Sequence, residues 1–200
     1  QRSHVAVLVN HTRRFDAAHR RAAALIARGE LGALVAGRCD YYGGWLHNGS
    51  HTIDTLRMLL HGEPSIDRIE PGAPGKPNDP CWNVRLRCGD APVDVMSVDA
   101  RHYQLWEIDL RFERGRILLR DFGAQIVVEA VHVNDLDERV LLPLPDSPWA
   151  GLDAPLYHAV NAIARHLQGE ADLAQTGATL DSARRTMRLL WQAREVVSKL

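Results

Sequence analysis

The period of apolar positions changes twice along the chain, and those changes divide it into three stretches. In the first, Val5-Ala6-Val7-Leu8-Val9 is a short continuous apolar run, the signature of a strand buried on both faces. Asp16 then caps a helix with Ala18, Ala22, Leu25 and Ile26 inward and Arg20, Arg21 and Arg28 outward, stopped by Gly29. A second strand runs from Ala33 to Cys39 into Tyr41-Tyr42-Gly43-Gly44. Ser50 is a good N-cap for a helix carrying Ile53, Leu56 and Leu60 and ending at His61-Gly62, with Pro64 beyond. From Ile66 the period becomes two. Trp82, Val84, Leu86 and Cys88 alternate with Asn83, Arg85 and Arg87, and the turn Gly89-Asp90 leads into Val93 to Val98. Further strands are expected over Tyr103 to Glu113, Arg116 to Arg120, Ile126 to Val133 and Val140 to Leu144. The helical period then returns, first in a helix capped by Asp153 with the stripe Leu156, Val160, Ile163 and Leu167. A final helix from about Leu180 carries Ala183, Met187, Leu190 and Val197. Helices at both ends and a meander between predict an α+β fold: an open, mainly antiparallel sheet with helices on one face.

Composition narrows the classes of function. Two hundred residues with 46% hydrophobic content suffice for one substantial domain, or one domain with a fragment of another. A net charge of −1 gives no nucleic-acid footprint. No apolar run approaches the roughly 20 residues that span a bilayer, and no signal peptide is visible, so a soluble protein without membrane partners is expected. Cys39, Cys81 and Cys88 are an odd set without CxxC spacing, which suits a reduced, cytoplasmic setting.

Candidate chemistry is concentrated in HNGSHTID, His47 to Asp54. With Ser50 as the cap, His51 falls in the first helical turn, where exposed N–H groups and the helix dipole lower an imidazole pKa. Asp54, three residues on, is within reach of a hydrogen bond to His51 or of a shared substrate. Gly43 and Gly44 let the backbone turn tightly, and Tyr41 and Tyr42 are the aromatics placed nearest a substrate. Asn10 to Arg14 is the polar end of a strand, either a solvated turn or part of a site, because ligands gather at the carboxyl ends of strands in α/β sheets. His47 and His51 have zinc-helix spacing, but HNGSH lacks the glutamate of HExxH, and Gly49-Ser50 argues against one continuous helix; no metal site is expected. Trp82, Trp106 and Trp191 are assigned to the core.

Four stretches together resemble the glucose-fructose oxidoreductase, inositol dehydrogenase and MocA (Gfo/Idh/MocA) family of NAD(P)-dependent oxidoreductases. They are VLVNHTRRFDAAH (Val7 to His19), GELG (Gly29 to Gly32), GGWLHNGSHTIDTLRMLLHGEP (Gly43 to Pro64) and the closing helix from Thr179 to Lys199. The resemblance implies a two-domain enzyme, of which this chain matches the C-terminal domain. Residues 1–15 would be the remnant of the last Rossmann strand and its junction, and residues 16–200 the substrate-binding and oligomerisation domain. No GxGxxG and no βαβ unit is present, so NAD or NADP is implied by the resemblance while this chain alone is expected to bind it poorly or not at all.

Carried over by position, the family's catalytic His falls on His51, exchanging a proton with a sugar, polyol or sugar-nucleotide hydroxyl. Asp54 supports the helix mouth or the substrate. The carboxylate often found four residues before that His falls on His47, a departure that bears on the proton relay. Asn10 and Arg14 match the polar strand end that faces nicotinamide and substrate. The resemblance also implies a homo-oligomer through the open sheet face. An alternative is a non-catalytic binding or oligomerisation module, in which the strand faces bearing Val93, Val95, Trp106 and Ile108 are either ordinary core or a patch that buries upward of about 2,000 Å² in an obligate interface.

Overall fold

A computed structural model of the chain describes residues 7–197. Helix α1 (Ala17–Ala27) precedes strand β1 (Leu34–Tyr42), and α2 (Ser50–Leu60) follows it directly after a π-helical turn (Trp45–Gly49). Seven strands come next: β2 (Ser65–Pro71), β3 (Trp82–Cys88), β4 (Ala91–Val98), β5 (Glu107–Phe112), β6 (Gly115–Arg120), β7 (Gln125–Val133) and β8 (Arg139–Pro143). A short β9 (Trp149–Ala150) and helices α3 (Pro155–Leu167) and α4 (Leu180–Val197) complete the order. The sheet runs β2-β3-β4-β1-β5-β6-β7-β8, with β9 against β7. Every pairing is antiparallel except β1 with β4, because β1 reaches the middle of the sheet by way of α2 rather than a hairpin. The α+β architecture expected from the period changes is therefore the one observed.

Alternation decides which face is covered. Val93 and Val95 of β4, Ile108 and Leu110 of β5 and Ile117 and Leu119 of β6 are buried in one cluster with Ile53, Leu56 and Leu59 of α2 and Leu189 and Leu190 of α4. The opposite face is charged: Arg85 pairs with Asp94, Arg38 with Asp40, and Arg116 with Asp109. This corrects the expected interface patch. Val93, Val95, Trp106 and Ile108 are no more than 2% exposed, and they are core because their side chains point under the helices.

Several boundaries shift. β5 begins at Glu107 rather than Tyr103. Helix α3 has Ala154 at its N-cap, in the left-handed region and without a side-chain cap, with Pro155 in the first turn; Asp153 does not cap it. The α3 stripe does not pack inward: Leu156, Val160 and Leu167 are exposed, and the helix holds on instead through Ala159 beside Phe15 and Ala178. Trp106 is core, but Trp191 is 44% exposed with Arg194 over its ring. Of the first apolar run, Val5 and Ala6 lie outside the described residues; Leu8 bridges to Thr179, and the Val9 N–H donates to the Ala178 carbonyl at 2.9 Å. Ser198 and Lys199 of the closing helix also lie outside them. Among the described residues no helix is long and apolar enough to cross a membrane.

Candidate active site

At the end of the sheet where β1 and β4 finish, the chain leaves Tyr42 through Gly43 and Gly44, with φ of 71° and 105°. These positive φ values favour glycine, and Gly44 has a second constraint, since a Cβ there would come 2.2 Å from an Asp79 carboxylate oxygen. That carboxylate starts the helix: the Leu46 and His47 N–H groups donate to it at 2.7 and 3.2 Å. Helical structure thus begins at Trp45, one turn earlier than the sequence suggests. Ser50 is not the cap, and its hydroxyl donates to the His47 carbonyl. His47 and His51 therefore share one continuous helical run, and His51 lies past the first turn, so the end charge of the helix is not what acts on it. The cap was not visible locally because it comes from a loop 33 residues away. Asp79→Ala should cost about 1–2 kcal/mol, the usual worth of a cap, read as a lower urea midpoint. An unchanged midpoint would mean that water replaces the carboxylate without loss.

The His51 ring meets His11 edge-on at 5.7 Å between centroids and His47 at 6.4 Å. Burial, then the Arg13 guanidinium, then His11 and His47 push its pKa down from 6.5 to about 4, against a smaller opposing pull from Asp54. At neutral pH the imidazole is uncharged and ready to accept a proton. Burial likewise lowers His11, with Asp54 opposing. Among the described residues no group of three or more His, Cys, Asp or Glu side chains is placed to hold a metal ion.

A folded pKa below the unfolded 6.5 makes stability full above that value and lost as pH falls toward about 4. Urea midpoints should fall over that window. For His51 alone the loss is on the order of 2 kcal/mol once solvent screening of this partly exposed ring is discounted. Because burial lowers His19 as well as His11, His51→Ala should remove only part of the slope. A variant with the full wild-type slope would remove His51 as a contributor.

Asp54 does not hydrogen-bond His51. Only 2% exposed, it accepts Nε–H and Nη2–H of Arg14 at 2.8 and 2.9 Å and the Thr186 hydroxyl at 3.2 Å. Arg14 also donates to Ser182 Oγ, while Arg57 donates to the Ser182 carbonyl, to Thr186 and to Glu63. Asp54 and Arg14 together pin the chain entering α1 to α2 and α4. Tyr41 is fully buried, its hydroxyl donating to the Trp82 carbonyl and accepting the Trp82 N–H, both at 2.8 Å, so its ring faces the core rather than a pocket. Tyr42 is partly exposed and meets Phe122 edge-on at 5.9 Å. Asn10 is exposed.

Two groups the sequence left open between a turn and a site, Arg13 and His11, and one it did not raise, Phe122, lie here. Arg13 lies over the Trp106 ring, 3.6 Å from its centroid, and donates to the Phe122 carbonyl. His11 touches His51, and Phe122 sits in the left-handed region with φ of 56° beside Tyr42. Proximity of His11 and Arg13 to a strand end was the available signal for those two; Phe122 had none, because its position depends on how β6 ends.

No family model matches this sequence, and no curated protein does. Solved structures match in fold. KijD10, a 3-ketoreductase from Actinomadura kijaniata solved in complex with NADP, superposes with a TM-score of 0.66 at 16% identity, over 96% of this chain and 61% of KijD10. The super-repressor mutant of Gal80p from Saccharomyces cerevisiae gives 0.67 at 15% identity, over 96% and 63%. A putative oxidoreductase from Magnetospirillum magnetotacticum MS-1 gives 0.63 at 16%, over 93% and 62%. The chain has the fold of the Gfo/Idh/MocA C-terminal domain. It spans about three-fifths of the length of these structures.

Proposed function

We propose that this chain is the substrate-binding and catalytic half of an NAD(P)-dependent oxidoreductase acting on a sugar, polyol or sugar-nucleotide hydroxyl. The observation that carries the reading is the partly buried His51 imidazole packed edge-on against His11 and His47 at one end of the sheet, where burial and the nearby Arg13 lower its pKa. His51 accepts the hydroxyl proton as the alcohol is oxidised, or returns it in the reverse direction. Asp54 and Arg14 act as positioning residues that fix the strand end against α2, and Tyr42 with Phe122 walls one side of the site. Asn10, at the exposed strand end, and His47, on the neighbouring turn, complete the polar surroundings.

The dinucleotide itself does not fit the described residues. Gly43-Gly44 leads into a helix start, the arrangement that cradles phosphate, but the Leu46 and His47 N–H groups already bond Asp79. NAD or NADP would therefore be held by another half, and hydride transfer is assigned to no residue here. On this reading residues 1–15 close that half and residues 16–200 form the substrate domain. The exposed apolar stripe of α3 is the kind of surface that such a half would bury. KijD10, solved with NADP and with TDP-benzene, supports the chemistry.

A second reading is a binding or assembly module without turnover, in a cytoplasmic homo-oligomer paired through the charged sheet face. The similarity to a super-repressor mutant of Gal80p favours it. Fusing a dinucleotide-binding domain ahead of Val7 and assaying NADP and NAD with a panel of sugars and polyols tests the first reading. No turnover with any substrate would leave the second.

A further inference from the structure

We propose that Arg13 anchors an oxyanion on the substrate, a carboxylate or phosphoryl group carried by the molecule whose hydroxyl meets His51; the second clause rests on the function proposed above. Arg13 and Arg14 are neighbours with opposite electrostatic situations. Arg14 is neutralised by two hydrogen bonds to Asp54, and the other buried arginine, Arg57, by two to Glu63. Among the described residues no carboxylate lies within 4.0 Å of Arg13, whose hydrogen bond goes to a carbonyl, that of Phe122. The carboxylates whose field reaches it are Asp16 and Asp54, and both are committed: Asp16 to His19 and the Leu152 N–H, Asp54 to Arg14.

A partly buried guanidinium without a counter-ion carries a desolvation cost to the fold, and that cost is recovered when an anion arrives. The donors for it are in place. Arg13 Nε and Trp106 Nε1 are both buried with no hydrogen-bond partner, one stacked over the ring that carries the other, and Trp106 is 2% exposed. Both can only donate, so they call for an acceptor. Arg13 Nε lies beside Gly123, where a Cβ would come within 3.0 Å of it, and the charge of Arg13 reaches His11, His19 and His51, with no uncommitted carboxylate in its field among the described residues. An anion on Arg13 would also lift one of the influences that depress His51, tying substrate binding to the basicity of the group that takes its proton.

The test needs no cofactor. In the 200-residue chain, the His51 Cε1–H resonance is followed by NMR at constant ionic strength while glucuronate, inorganic phosphate or glucose is added. Glucuronate, phosphate or both should shift it saturably and raise its titration midpoint, and glucose should bind at least tenfold more weakly. The anion that acts names the group, carboxylate or phosphoryl. Arg13→Gln should lose at least tenfold in anion affinity, while Arg13→Lys, which keeps the charge, should retain part of it. Equal responses to glucose and to both anions in the wild type, or undiminished anion binding by a folded Arg13→Gln, would overturn the proposal. Because no nicotinamide is present, such a failure leaves the oxidoreductase reading standing, and a failure of turnover leaves the anion site standing.

Discussion

Asp54→Ala should lower stability by about 3–5 kcal/mol, the cost of breaking a buried ion pair from one side. The carboxylate takes both the Nε–H and the Nη2–H of Arg14 and the Thr186 hydroxyl, all in a buried junction between the chain entering α1 and helices α2 and α4. Its removal leaves a guanidinium that is 7% exposed and, among the described residues, hydrogen-bonded only to Ser182 Oγ. Arg57 is less affected, because Glu63, Thr186 and the Ser182 carbonyl hold it independently. Urea unfolding gives the measurement. The pair Asp54→Leu with Arg14→Met should lose less than either single change, since replacing both charges removes the unpaired ion. A loss under about 1 kcal/mol in Asp54→Ala would mean that apolar packing, not this cluster, fixes the junction.

That cluster marks the limit of what the sequence discloses. The fold was legible because it rests on periodicity: alternation at Trp82 to Cys88 and at Glu107 to Phe112, and the 3.6 spacing of Ile53, Leu56 and Leu60, are set by burial of one face, which composition records directly. His51 was singled out because a short polar motif carries it. What it touches was not. Asp54 sits three residues away and suggests a partner for His51, yet side-chain direction turns its carboxylate toward Arg14, 40 residues distant in sequence. Ser50 has the chemistry of a cap, yet Asp79 reaches the helix start first from a proline-rich loop. Adjacent arginines are equivalent in a sequence and differ here by a full counter-ion. The α3 stripe is a different kind of failure: its period is helical and apolar, but amphipathicity says only that a face seeks cover, not that this chain supplies it.

With a dinucleotide-binding half supplied in cis, His51→Ala should reduce turnover roughly 10²-fold or more, the usual worth of a positioned acid–base group. Two further features separate this from a loss of folding. The variant should keep wild-type stability at pH 8, where the His51 ring is uncharged in folded and unfolded chains alike, apart from the packing lost with the ring. The wild-type pH profile of kcat/KM should stay flat well below 6.5 in the direction of alcohol oxidation, falling only as pH approaches about 4, where free His51 takes up its proton. An ordinary surface histidine would lose activity two units earlier or more. If an anionic substrate lifts the field of Arg13, the profile of kcat should fall at higher pH than that of kcat/KM, because kcat reports the bound complex. A variant that turns over at the wild-type rate would remove His51 from the chemistry, and with it the observation on which the enzymatic reading stands.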